Sequence, residues 1–542
     1  MGLFKRNKTE AETAVGPALA AASSSVVLRL PLVLPNDPRP FYKVRHLLLL
    51  NLLLLLTSLS SASIGFDGAM MNGLQTVAQW RDYFGRPTPA ILGVMNAIYP
   101  IGKLVGIFPT TWLADKYGRK APMYLGFVML VVGAGIQGGS VHIGMFIASR
   151  FFLGFGTAFL AQPAPILVTE LAYPTHRGKI TAIYQTFFFF GAILAAWSTY
   201  GTLRIPSTWS WRIPSLLQGA IPAFQLALFW FVPESPRWLV AKGREAEARV
   251  ILTKWHSAGD ESSPLVDYEM TQIKETVQLE TEALSETSYL DLVRTPANRR
   301  RTFIAVIVGF FAQWNGAGVI SYYLALVLNT IGITESRDQA LINGLLQVFN
   351  WLAAIFAGAL MVDRLGRRTL FLASTAGMFF SYVIWTALTG VFTTTLNQNM
   401  GNAVVAFIFI YYFFYDIAWN PLLLAYPVEV FQFTLRARGV SVTYASTFIG
   451  LIIGQFVNPL AMAGLGWKYY IVFCVILACL FVVIWFTFPE TKGRTLEEIA
   501  EIFDGPGAGH GAAATDEEAA AAEAKASSIE NEHEDVSVPR KA

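Results

Sequence analysis

Two side chains of opposite charge stand where charge is costly. Asp67 lies in Gly65-Phe66-Asp67-Gly68, inside an apolar run that begins near His46, and Arg150 lies in another apolar run that begins near His142. An ionisable group in such a setting marks a functional position and requires a partner. A carboxylate beside a guanidinium holds its proton differently from one parted from it, so a movement that joins and separates the two can load and unload a proton. A second class of groups occupies similar runs: the amides Gln185, Gln313, Asn315, Asn350 and Asn420, with Tyr322, Tyr323, Trp351 and Trp419 nearby. Amides both donate and accept hydrogen bonds, and aromatic faces receive C–H groups, which suits a solute covered in hydroxyls. Each amide taken singly can equally serve as glue between helices.

The elements that must hold these groups are membrane spans. Of 542 residues 54% are hydrophobic and only 14% charged, too apolar a balance for a water-soluble chain of this length. A spanning helix needs about 20 apolar residues, and that window finds twelve. The first six run roughly over 46–74, 90–113, 121–140, 142–168, 180–200 and 213–232, the second six over 302–329, 340–362, 369–392, 402–425, 441–463 and 468–488. Asp67 then lies roughly 10 Å from the outer end of span 1, and Arg150 roughly 12 Å from the outer end of span 4, at 1.5 Å per residue. Their depths match. Basic residues crowd the loops after spans 2, 4, 8 and 10 (Lys116, Arg119, Lys120, Arg177, Lys179, Arg364, Arg367, Arg368, Arg436, Arg438), which predicts that both termini are cytoplasmic.

The chain also repeats itself. Asp115-Lys116-Tyr117-Gly118-Arg119-Lys120 returns 248 positions later as Asp363-Arg364-Leu365-Gly366-Arg367-Arg368. Glu170 with Arg177 returns after 259 as Glu429 with Arg436, and Pro233-Glu234-Ser235 returns after 256 as Pro489-Glu490-Thr491. Three charged motifs in one order at nearly one offset indicate two homologous six-helix halves, the plan of an alternating-access carrier. The glycine permits a tight turn, and the arginines can reach the acidic groups at the inner helix ends. Such bonds would hold the inner side shut and break when it opens.

In these motifs, together with Pro236-Arg237, Tyr415-Asp416 to Pro421 and Pro489 to Gly493, the chain resembles the sugar porters of the major facilitator superfamily, nearest to fungal lactose-permease-like members. The resemblance implies the all-α, two-times-six fold of that superfamily, no enzymatic activity and no cofactor beyond a proton gradient. It implies proton coupling through Asp67 and Arg150, because facilitators of the family carry a neutral residue at the aspartate position. It implies a substrate site at Gln185, Gln313 and Tyr322, to which the amides and aromatic groups of the spans add Asn315, Asn350, Trp419 and Asn420. It further implies a cytoplasmic charge network of Asp115, Arg119, Glu170, Arg177, Glu234, Arg237, Asp363, Arg367, Glu429, Arg436 and Glu490, with Asp416 acting in gating. Ala312, Gly318 and Leu424 replace an amide, an amide and a tryptophan of the family pattern, which suits a roomier site than a plain glucose pocket. Thr111 and Ala359 replace glycines four residues before the motif aspartates.

The expected domain plan is an N-terminal cytoplasmic tail (1–45), a first bundle (46–232), a helical linker (233–301), a second bundle (302–488), and a C-terminal motif with a disordered tail (489–542). Lys103, in the middle of span 2, has no assigned task. Cys474 and Cys479 stand about 140° apart around one helix, suggesting neither disulfide nor metal. The expected function is a monomeric plasma-membrane symporter for protons and a mono- or disaccharide, with the lipid bilayer as its surroundings and no nucleic-acid partner. A facilitative uniporter and a non-transporting sugar sensor of the same fold are the alternatives. A polytopic enzyme would need a metal cluster, a nucleophile with its base, or a phosphate loop, and the sequence offers none of these.

Overall fold

The computed structural model describes residue 34 and residues 41–360, 365–494 and 496–505. The tails at 1–33 and 506–542 and the motif residues Asp363 and Arg364 lie outside the described residues. Apolar runs in lipid must satisfy every backbone group internally, and the described chain does so with helices and no strand. Span 1 is Arg45–Leu74, span 2 Pro89–Tyr117, span 3 Lys120–Gly138 and span 5 Arg177–Thr202. Spans 8, 9, 11 and 12 are Ser336–Leu360, Arg367–Thr395, Phe433–Leu465 and Tyr469–Thr487. Caps fix where helices begin. Thr88 accepts the N–H of Ile91 ahead of Pro89, and the Nδ1 of His142 accepts the N–H of Met145 at 3.0 Å.

The other four crossings are interrupted. Span 4 is Ile143–Ala161 followed by Pro163–Leu171, and span 10 is Gln398–Ala418 followed by Leu422–Val430. Pro163 and Pro421 stand 258 positions apart, so the break belongs to the repeat and follows from a ring that cannot donate within a helix. Span 6 is Trp209–Leu217 and Ala220–Leu228. Span 7 is Pro296–Phe311 and Ala317–Thr330, beginning six residues before the apolar window.

Each half has its own core. In the second half Tyr382, Trp385, Tyr411, Tyr470 and Phe473 are buried together, while in the first half one cluster surrounds Phe127 and Leu153 and another surrounds Trp80, Phe146 and Trp211. Two seams of the first half are closed backbone to backbone. A side chain at Gly191 would collide with the carbonyl of Ala62, and one at Gly154 with the carbonyl of Tyr99. These approaches set spans 1 and 5, and spans 2 and 4, at the separations that small residues allow. They bring Tyr99, Arg150 and Asp67 to one place.

The linker forms helices Pro236–Ala241, Glu245–His256, Pro264–Glu286 and Asp291–Arg294. Buried His256 fastens it to the first half, bonded through Nδ1 to Glu269 at 2.7 Å and through Nε2 to the carbonyl of Leu171 at 3.2 Å. A short helix, Leu496–Asp504, docks on the linker end of span 7 through Asp504 to Arg301 at 2.6 Å.

Candidate functional site

Asp67 and Arg150 are both buried, at 2% exposure each, and they are neighbours. The expected carboxylate–guanidinium ion pair is not formed in this conformation. Arg150 instead stacks on the ring of Tyr99, 4.7 Å from its centroid, and its Nη1 reaches the main-chain oxygen of Asp67 at 3.4 Å. The close backbone approach at Gly154 places that ring beneath the guanidinium and explains the difference. The Oδ2 of Asp67 lies 3.3 Å from the hydroxyl of Thr157, which also faces the carbonyl of Leu153 at 2.7 Å and receives the hydroxyl of Tyr99 at 3.2 Å. Thr157 has a single proton to give. With it turned to Leu153, its oxygen can accept from a protonated Asp67, and with it turned to Asp67 it can serve the carboxylate, so the contact accommodates both protonation states. The Nε of Arg150 is buried without an acceptor, a donor left over for a rearranged state.

The amides divide between unbonded and structural positions. Gln185 is exposed, Gln313 half-buried, and Asn350 buried with its Oδ1 unbonded; none makes a side-chain hydrogen bond among the described residues. Tyr322 of span 7 is half-buried. Asn315 supports the break in that span. Its Oδ1 accepts the N–H of Ala317 at 3.0 Å and the hydroxyl of Tyr411 at 3.1 Å, leaving only Nδ2 free. Gly316, at φ +105°, makes the turn with Tyr382 pressed against it. Asn420 donates to Asp416 at 3.3 Å, and Asp416 is otherwise buried with Oδ2 unbonded. Trp419 sits away from these groups, in the core of the second half against Phe371, with its N–H on Thr375 at 3.3 Å.

At the end of the bundle away from the linker the two halves are joined by residues that the sequence reading did not single out. Asn72 of span 1 inserts its amide between two backbone groups of span 7 that a helix would pair with each other. It accepts the N–H of Leu324 at 3.0 Å and faces the carbonyl of Ile320 at 3.4 Å, beside a non-helical Tyr323 (φ −137°, ψ 28°). Asn72 also donates to Asn343 at 3.1 Å, and Gln75 donates to the carbonyl of Tyr322 at 2.8 Å. The signal was available, since these too are amides in apolar runs.

At the linker end the repeated motifs build the same cage twice. Glu234 accepts the N–H groups of Arg119 at 2.9 Å and Lys120 at 3.2 Å, and Glu490 accepts those of Arg367 at 2.7 Å and Arg368 at 3.1 Å. These carboxylates cap helix N-termini, where negative charge is favoured. Burial lifts Glu234 above the usual carboxylate range, with the donated N–H groups opposing it. Glu170 receives the hydroxyl of Ser235 at 2.5 Å and lies 3.7 Å from Arg119; Glu429 receives the hydroxyl of Thr491 at 2.5 Å and lies 3.0 Å from Arg367. Asp115 pairs with Arg119 at 3.5 Å.

Three expected members stand elsewhere. Arg177 is exposed at the head of span 5, where the turn after Leu171 points it to solvent; Arg436 lies over the ring of Phe433, with its Nε unbonded. Arg237 pairs with Glu280 of the linker, because the helix from Pro236 turns it toward Pro264–Glu286. The bonds described for the cages all lie within one half. Gly118 (φ +95°) and Gly366 (φ +88°) each occupy a turn where a carboxylate sits in the place a side chain would need. We expect Gly118→Ala to cost about 1–3 kcal/mol, seen as a lower unfolding temperature of the detergent-purified protein, whereas Gly178→Ala, in open space, leaves it unchanged.

Twelve crossings in two like halves, with interior charges and amides between them, define a membrane carrier of the major facilitator fold. The family model for "Sugar (and other) transporter" matches residues 53–503, and the chain belongs to that family, the sugar porters. The MFS-type transporter oryC of Aspergillus oryzae is 30% identical over 455 residues, with 81% of this chain and 82% of that protein covered. The high-affinity glucose transporter of Kluyveromyces lactis is 28% identical over 469 residues, covering 82% and 83%. The inward open conformation of the xylose transporter XylE from E. coli shares the fold at a TM-score of 0.69 and 20% identity, covering 84% of this chain and all of that one. These relatives are carriers and not enzymes.

Proposed function

We propose that this sugar-family carrier is a proton-coupled symporter that imports a mono- or disaccharide across the plasma membrane by alternating access, as a monomer with both termini in the cytoplasm. The observation that carries the reading is the buried Asp67, whose carboxylate meets a two-way hydroxyl and whose neighbour Arg150 keeps a donor in reserve. A carboxyl that holds its proton in one state, and releases it to water when the charge of an arginine moves against it in another, couples the two fluxes. The likeness to a glucose transporter supports a sugar as solute. Gln185, Gln313, Asn350 and the free Nδ2 of Asn315 supply donors and acceptors for its hydroxyls.

The test is uptake of labelled mono- and disaccharides in a cell that lacks its own carriers, with the pH of a weakly buffered medium recorded. We expect accumulation above the external concentration and alkalinisation of the medium on adding the sugar. Equilibration without alkalinisation would mean a uniporter, and neither signal would mean a sensor.

A further inference from the structure

Lys103 is the interior charge that the symport scheme does not use. It lies half-buried in the middle of span 2, one turn inward of Tyr99, at the seam where span 2 meets span 11 of the other half. Its Nζ faces the ring of Phe448 at 5.7 Å, and it makes no ion pair or hydrogen bond among the described residues. The interior carboxylate of the first half is that of Asp67, which lies beside Arg150 and is joined through Thr157 to Tyr99, one turn from Lys103. Two cations therefore share one anion in the first half. Asp416, across the seam, is held by Asn420. An aromatic face compensates a membrane-buried ammonium only in part, and the imbalance becomes larger each time Asp67 takes up a proton.

A solute that brings its own negative charge removes the imbalance. Resting on the reading of the chain as a sugar carrier, we infer that its preferred substrate is a sugar acid, a polyhydroxylated monocarboxylate such as a hexuronate or aldonate, whose carboxylate is received by Lys103 while its hydroxyls meet the amides of spans 5, 7 and 8. The position fits the task. Lys103 is in the first half beside the proton site, and the unpartnered amide groups of Gln313 and Asn350 are in the second, so one solute would bridge the halves. With a proton on Asp67 and an anion on Lys103, the loaded carrier gains no net charge over the empty one, and the cycle is electroneutral.

The experiment uses matched pairs that differ in the carboxylate: D-galacturonate against D-galactose, and D-gluconate against D-glucose, as labelled solutes and as competitors, with the full-length protein in a carrier-free cell and in proteoliposomes. We expect the acid of a pair to be taken up with a KM at least tenfold below that of its neutral counterpart. Lys103→Met should lower that selectivity at least tenfold, and Lys103→Arg should largely keep it. Uptake of the neutral sugars with no uptake of, or competition by, the acids would overturn the inference and leave the sugar-carrier reading standing; uptake of none of the four would overturn the inference, and failure of the labelled mono- and disaccharides as well would overturn both. Selectivity for the acids that survives Lys103→Met would remove Lys103 from the site. Should that variant fail to reach the membrane, the wild-type comparison and its independence of membrane potential decide the matter.

Discussion

Asp67→Asn will abolish accumulation against a gradient while exchange of labelled for unlabelled solute continues. Asparagine keeps the shape of the side chain and an oxygen facing Thr157, at 3.3 Å in the native protein, so the helix contacts of span 1 persist. What is lost is a titratable oxygen beside Arg150. With one pH unit across the membrane, one coupled proton is worth about 1.4 kcal/mol and sustains a roughly tenfold concentration ratio. The variant's ratio should fall to one. Exchange needs only the loaded carrier to reorient, with no net return of the proton site, and so should survive within a few-fold of wild type. Continued concentrative uptake by Asp67→Asn would defeat the assignment. Loss of exchange as well would point to a role for Asp67 in holding spans 1 and 4 together.

Much of this architecture was legible because membrane folding leaves few choices. Twelve apolar windows and three duplicated charged motifs gave the spans and the two halves, since lipid permits only closed helices and each motif marks an inner helix end. The partners Arg119 with Glu170 and Arg367 with Glu429 followed from charge and proximity. The seat of Glu234 and Glu490 against backbone N–H groups did not, because a glutamate just past a span reads equally well as a solvated end. Arg237 and Arg177 were drawn into the network by the motifs shared with the family; the direction of a helix turn, which spacing does not reveal, sent one to the linker and the other to solvent. Asn315 was chosen as a solute ligand because it is an amide in a span, yet its oxygen is occupied by a helix break that depends on Gly316. The stacking of Arg150 on Tyr99 rests on a glycine-to-carbonyl approach between two spans, a long-range contact with no signature in local sequence.

The outer closure offers the second large effect. The bonds from Asn72 and Gln75 to span 7, and from Asn72 to Asn343 of span 8, join the two halves, so parting the halves at this end must break them. Within span 7 the N–H of Leu324 and the carbonyl of Ile320 are four residues apart and would ordinarily pair; the amide of Asn72 replaces that bond where Tyr323 departs from helical geometry. Replacing Asn72 by Ala leaves these groups without partners as long as the outer side stays closed, at about 1–3 kcal/mol for a buried group. When the side opens, water satisfies them. The substitution therefore raises the energy of the closed form selectively, and a differential of about 1.4–2.7 kcal/mol moves the equilibrium roughly 10- to 100-fold toward outward opening. With Cys474 and Cys479 replaced and Ser321→Cys introduced as a reporter, Asn72→Ala should speed modification by a membrane-impermeant thiol reagent added outside at least tenfold. Solute binding should protect the reporter less than in the parent protein, because the closed complex has lost its cross-bundle bonds. An unchanged rate would mean that the packing of spans 2 on 11 and 5 on 8, rather than the amide latch, sets the closed state.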